Sequence, residues 1–258
     1  MLAIMTALLI SGAELAPATA TIEEWQVPWE KSRPRDPYVG GPDTIWFVGQ
    51  QADYAAILTP STGAMKRIDL PAGAGPHNII VDDRGAWYAG NKAAHIGFID
   101  PQTEQITQYP LPGDGRRDVH TMDFDPATGD IWFTVQGGNQ IGKFAAADQQ
   151  FTLWDVPTER ARPYGLQFVN GQPWVVLFGS NKLATVVGDD HGYIWLVETG
   201  VQPNQLVGFH KASATFTAPI AVPSGGGSVR HMVYEPSDNS LWFGTDSNTI
   251  GKATITYP

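Results

Sequence analysis

Tryptophan returns along this chain at a nearly constant interval, and that interval restricts the fold more than any other feature. A Trp followed by an apolar or aromatic residue occurs at Trp46-Phe47, Trp87-Tyr88, Trp132-Phe133, Trp174-Val175, Trp195-Leu196 and Trp242-Phe243. Successive Trp residues of this set lie 41, 45, 42, 21 and 47 positions apart. Four of the five steps match the length of a four-stranded propeller blade. The rest of the unit repeats with them. Upstream lies an alternating strand, as in His77-Asn78-Ile79-Ile80-Val81 and His120-Thr121-Met122-Asp123-Phe124. Downstream comes a polar-apolar-Gly strand, as in His95-Ile96-Gly97 and Gln140-Ile141-Gly142. Each unit ends at an apolar-Pro edge, such as Leu70-Pro71, Leu111-Pro112 and Val156-Pro157. A missing N–H costs no ladder bond on an outer strand, so Pro suits that place.

The expectation is therefore an all-β fold, a β-propeller of four-stranded blades with six Trp-motif units, one of them shortened. The chain ends in a third-strand segment, Ile250 to Ile255, and Glu24-Trp25-Gln26-Val27-Pro28 reads as a fourth. The N-terminal strand is thus predicted to complete the last blade and close the ring, which would remove two exposed edges. The step of 21 between Trp174 and Trp195 is half a unit. It predicts a deletion near residues 187–190, after a third strand over Asn181 to Val186. One domain is expected over residues 21–258. Residues 1–20, an apolar run ending Ala18-Thr19-Ala20, read as a signal peptide, hence an exported, periplasmic or secreted protein; without cleavage it would be cytoplasmic.

Several function classes drop out. A net charge of −10 repels phosphate, against nucleic acid and anionic membranes. There is no cysteine, so thiolate chemistry and Cys-held metals are excluded. Past the leader, no stretch reaches the length of a membrane span, and a monomer is expected. Phosphate loops, nucleophile elbows and His-Glu-x-x-His runs are missing.

What remains sits at the starts of the inner strands. Tyr38, His77, His120, Tyr164 and His231 occupy similar repeat positions, with Arg117, Arg162 and Arg230 close by in sequence. Equivalent positions in a propeller face one place, so these side chains should ring the channel mouth and receive a small-molecule ligand.

The unit built on Pro76-His77-x-Ile79, Trp87-Tyr88, Ile96-Gly97 and Tyr109-Pro110-Leu111-Pro112 resembles the virginiamycin B lyase (streptogramin B lyase) family, over most of Glu23 to Ile255. The resemblance implies a seven-bladed parent and an elimination that opens a cyclic depsipeptide ester with Mg²⁺ assistance. It puts His120 and His77 at the paired catalytic histidines and Asp118 at the first metal carboxylate. The second metal position falls on Gln136, an amide without charge. The last unit matches differently, with His231 and Asp246 in place but Val229 where the first carboxylate belongs. Glu198, three residues after Trp195, is a further candidate. The competing expectation is a non-catalytic exported propeller that binds a small molecule, glycan or protein at the same mouth.

Overall fold

The computed structural model describes residues 18–169, 172–180, 187–188, 191–210 and 215–257. Strand β1 (Thr19–Gln26) is followed by a sheet of β2 (Pro34–Gly41), β3 (Thr44–Gly49), β4 (Tyr54–Thr59) and β5 (Ala64–Asp69). The next comprises β6 (Pro76–Asp82), β7 (Gly85–Gly90), β8 (His95–Ile99) and β9 (Ile106–Pro110). A third contains β10 (Val119–Phe124), β11 (Ile131–Val135), β12 (Gln140–Ala145) and β13 (Gln150–Asp155). Each is an antiparallel meander in chain order, as the repeat predicts for a blade.

The pattern then breaks. β14 (Pro163–Val169) and β15 (Gln172–Leu177) form a two-stranded sheet, followed by a short 3₁₀ turn at Phe178–Ser180. β16 (Val187–Gly188), β17 (Tyr193–Glu198), β18 (Gln205–His210), β19 (Thr215–Phe216) and β20 (Ile220–Ala221) make a five-stranded sheet, with β19 and β20 both on β18. The last sheet unites β21 (Val229–Glu235), β22 (Ser240–Thr245) and β23 (Thr249–Thr256) with β1.

The predicted closed ring is overturned. β1 does pair with β23 through eight register pairs, from Thr19↔Thr256 to Gln26↔Thr249. The sheets nevertheless do not close into a ring, although β14 rests on the third sheet, where Phe168 N–H donates to Asp123 Oδ2 at 2.8 Å. Buried cores fill the spaces between the last sheet and β2–β5, between β2–β5 and β6–β9, and between β6–β9 and β10–β13. Another joins the β16–β20 sheet to the last one. Among the described residues, none of these cores takes a side chain from β14 or β15. Trp174 shows the result: it is 67% exposed, whereas Trp46, Trp87 and Trp242 are buried. The third strand expected over 181–186 lies outside the described residues, as do Asp189 and Asp190 at the junction and residues 1–17 of the leader. Thr19 and Ala20, at the expected cleavage site, are the first residues of β1.

The glycine of the polar-apolar-Gly strand has a packing cause. In three sheets the aromatic after the Trp lies flat across the neighbouring strand, opposite that glycine: Tyr88↔Gly97, Phe133↔Gly142 and Phe243↔Gly251; in the first, Phe47 faces Ala56. A Cβ on Gly142 would run into the Phe133 ring. In the β16–β20 sheet the buried Trp195 itself faces Gly208, so Trp195 takes the place of that aromatic and Ile194 that of the motif Trp. Gly142→Val should cost about 1–3 kcal/mol by overpacking. Gly200→Val, where no atom lies within 4 Å of the added Cβ, should be nearly neutral. Urea midpoints of the two variants check this, and equal midpoints would remove the packing argument.

Candidate functional site

Five inner strands share a register shift near the start of the strand, one residue later in β2 than in the others. Register shifts fall between Arg35 and Tyr38, Pro76 and Ile79, Val119 and Met122, Pro163 and Leu166, and Val229 and Met232. Bulges re-aim side chains and are frequent beside active sites. Pro34, Pro76, Val119, Pro163 and Val229 each pair with the residue three places after the motif Trp, so the residues that follow them, Arg35, His77, His120, Tyr164 and Arg230, are equivalent, and Asp36 corresponds to Asn78. Tyr38 is therefore three places out of step. It packs against the cores on either side of β6–β9 and is not among the residues lining the cavity. His231 is one place out of step and half-buried. The side chain of Arg230 lies outside the described residues.

Three bulge residues converge. The rings of His77 and His120 are 3.7 Å apart, and Tyr164 follows at 4.1 Å from His120. Behind them Asp36 Oδ2 lies 3.3 Å from His77 Nδ1, at ion-pair distance without the alignment of a hydrogen bond. Asp36 also sits at φ 32°, in the left-handed region where Asp and Asn are tolerated. Asn78 fastens the group: its Nδ2 donates to Asp36 Oδ2 at 3.4 Å, and its Oδ1 accepts from Met122 N–H at 3.0 Å. His120 Nδ1 lies 3.1 Å from Thr121 Oγ1. Asp36, His77 and His120 are all buried.

Burial opposes the charge on Asp36, but the imidazoles of His77, His231 and His120 outweigh it and hold the carboxyl well below the usual range. Burial is also the main influence on His120. Together with repulsion from His77 it drops that imidazole well below its ordinary 6.5, with the Asp36 charge pulling the other way and Arg35 adding to the drop. His120 is thus neutral at pH 7 and carries a lone pair. The sign for stability follows: below about pH 6.5 the unfolded chain takes up a proton that folded His120 refuses, so stability falls as pH falls. His95, lowered first by burial, adds to the trend, and Asp123, raised by burial, works against it. Melting temperature should decline from pH 7 to pH 5, and less steeply in His120→Gln. Parallel profiles would contradict a neutral His120.

The cluster opens on a cavity of about 410 Å³. Arg33, Arg35, Arg116 and Arg162 line it, with Gln50, Asn91, Asp118, Gln136 and Phe178. Arg117 is absent from this lining; its Nη1 donates to Leu111 O at 2.7 Å, and it borders a neighbouring recess. Asp246 pairs with Arg33 at 3.3 Å and Arg35 at 3.8 Å. Glu198 is exposed at the end of β17, whereas Val197 lines the cavity. Asp118 Oδ1 accepts from Gly137 N–H at 2.8 Å, and its Oδ2 lies 3.3 Å from Arg116 Nε. One arginine-paired carboxylate, three amides and four guanidiniums do not fit a doubly charged cation, which needs anionic oxygens. Among the described residues, no three His, Asp or Glu side chains gather as a metal site. None of the described helices is long and apolar enough to cross a membrane.

Asp36 is the member that reading the sequence passed over. It carries no signal in the repeat: its place corresponds to Asn78, and only the folded chain sets its carboxylate beside His77.

No curated protein matches the chain. Among solved structures it is similar to a streptogramin B lyase, at 20% identity and TM-score 0.71 over 92% of this chain and 98% of the other. A catalytically inactive virginiamycin B lyase from Staphylococcus aureus with quinupristin aligns at 18% identity and TM-score 0.68, over 92% of this chain and 99% of its own. A putative gluconolactonase aligns at 12% identity and TM-score 0.68, over 94% of each chain. At these identities the likenesses establish the fold alone, and the different printed activities show why. The family model for virginiamycin B lyases, in contrast, matches residues 15–186, two thirds of the sequence. The chain therefore belongs to the virginiamycin B lyase family.

Proposed function

We propose that the protein is a carbon–oxygen lyase that opens an ester by elimination, with His120 as the proton-abstracting base. The observation that carries this reading is the His77–His120 pair, 3.7 Å apart, beside an arginine-lined cavity and backed by the buried Asp36. A base must be unprotonated at working pH and lie beside the carbon acid. His120 meets the first condition through burial, and its neighbour His77 lines the same wall. The negative charge of Asp36 near Nδ1 favours the proton on that nitrogen of His77, leaving Nε2 with its lone pair. His77 then orients the substrate, and Asp36 stabilises the imidazolium that forms on His120. Tyr164 flanks His120 on the other side and bounds the space for the reacting group.

A streptogramin B depsipeptide is the first substrate to try. The expected result is a ring-opened product of unchanged mass, seen by chromatography with mass spectrometry. A product heavier by one water would replace elimination with hydrolysis. No product from a cooperatively folded preparation would favour the non-catalytic reading, a binding protein using the same mouth.

A further inference from the structure

Four of the chain's nine arginines line one cavity in a protein of net charge −10. Arg35 is buried, with its Nε 3.3 Å from Gln50 Oε1. Burying a guanidinium is costly unless something anionic meets it. Asp246 serves both Arg33 and Arg35, and Asp118 serves Arg116. Arg162 has no carboxylate partner among the described residues; its guanidinium lies 5.8 Å from the ring of Phe178, also in the wall. The wall therefore holds more guanidinium than its own carboxylates neutralise.

We infer that this wall is a carboxylate-binding site, and that it takes the acid released by the reaction. The choice of carboxylate over other anions rests on the elimination reading. In that step His120 removes a proton from the carbon next to the one bearing oxygen. The C–H electron pair becomes the new C=C bond, the C–O bond breaks, and its pair leaves on oxygen as a carboxylate. Each turnover thus creates one carboxylate, and guanidiniums match that planar anion through two parallel N–H bonds. Arg35 and Arg162 would face the charge as it develops. The substrates are then esters whose acyl end becomes a free carboxylate, kept within one molecule when the ester closes a ring, and that product should act as a competitive inhibitor.

Isothermal titration at low salt tests this directly on the whole protein, without turnover. The probes are N-acetylglycine, its uncharged methyl ester and inorganic phosphate. N-acetylglycine should bind, the ester should not, and phosphate should bind more weakly than N-acetylglycine. Arg162→Gln and Arg116→Gln, both at exposed side chains and so harmless to folding, should each weaken N-acetylglycine binding, the first by about tenfold. Absent binding, binding indifferent to both arginine variants, or tighter binding of phosphate would overturn the carboxylate site. If no ester is ever turned over but arginine-dependent N-acetylglycine binding persists, the elimination reading falls and the carboxylate site stands.

Discussion

His120→Ala is expected to lower kcat for ester opening by roughly 10²–10⁴-fold, the share a positioned base contributes. KM should change little, because the arginines and His77 remain to hold the substrate. His120→Gln keeps more of the side-chain volume and should be as inactive as the alanine variant, since an amide accepts no proton. The comparison matters because His120 is buried against His77 and Tyr164, and a cavity alone could disturb the site. Both variants should melt cooperatively. Activity within tenfold of wild type in a folded His120→Gln preparation would mean that another group takes the proton.

Asp36→Asn should reduce kcat/KM by about 10²-fold, through a different route. Asp36 does not line the cavity; it is a positioning residue whose charge raises the basicity of His120 and supports the ion formed there. Asparagine preserves the size, the tolerance for φ 32° and a carbonyl for the Asn78 contact, so the fold should persist. The diagnostic is the pH profile. Without the carboxylate the imidazole of His120 holds its proton less well, so the acid limb of kcat/KM should move to lower pH while the plateau falls. A lowered plateau with an unmoved limb would make Asp36 merely structural.

The sheets were legible because their signals are local and repeated. The Trp motif marks second strands, and the glycine across from Tyr88, Phe133 and Phe243 marks third strands, since a missing Cβ makes room for a flat ring there. The irregularity between Trp174 and Trp195 was visible as well, in the short step. Its consequence for the ring was not, because closure depends on how whole sheets pack and no local pattern reports that. The paired histidines were found through their place in the repeat. Asp36 was not, because it stands one place past the position that His77 and His120 share, and its approach to His77 comes from packing between neighbouring sheets. Likewise, Arg33, Arg35 and Arg116 come from different sheets and loops, and only folding shows that they share a wall with Arg162.

The pairing of β1 with β23 also sets an order of events during synthesis. Glu24 accepts a hydrogen bond from Thr249, 225 residues further along, and Trp25 stacks on Trp242 at 5.5 Å. β1 leaves the ribosome well before β23 and must therefore wait for it, its polar groups and Trp25 uncovered, while the sheets between are completed one by one. Contacts at such separation are slow to form and leave the nascent chain open to aggregation. A holding chaperone should accordingly engage residues 19–27 of the emerging chain and release them only after β23 has been made.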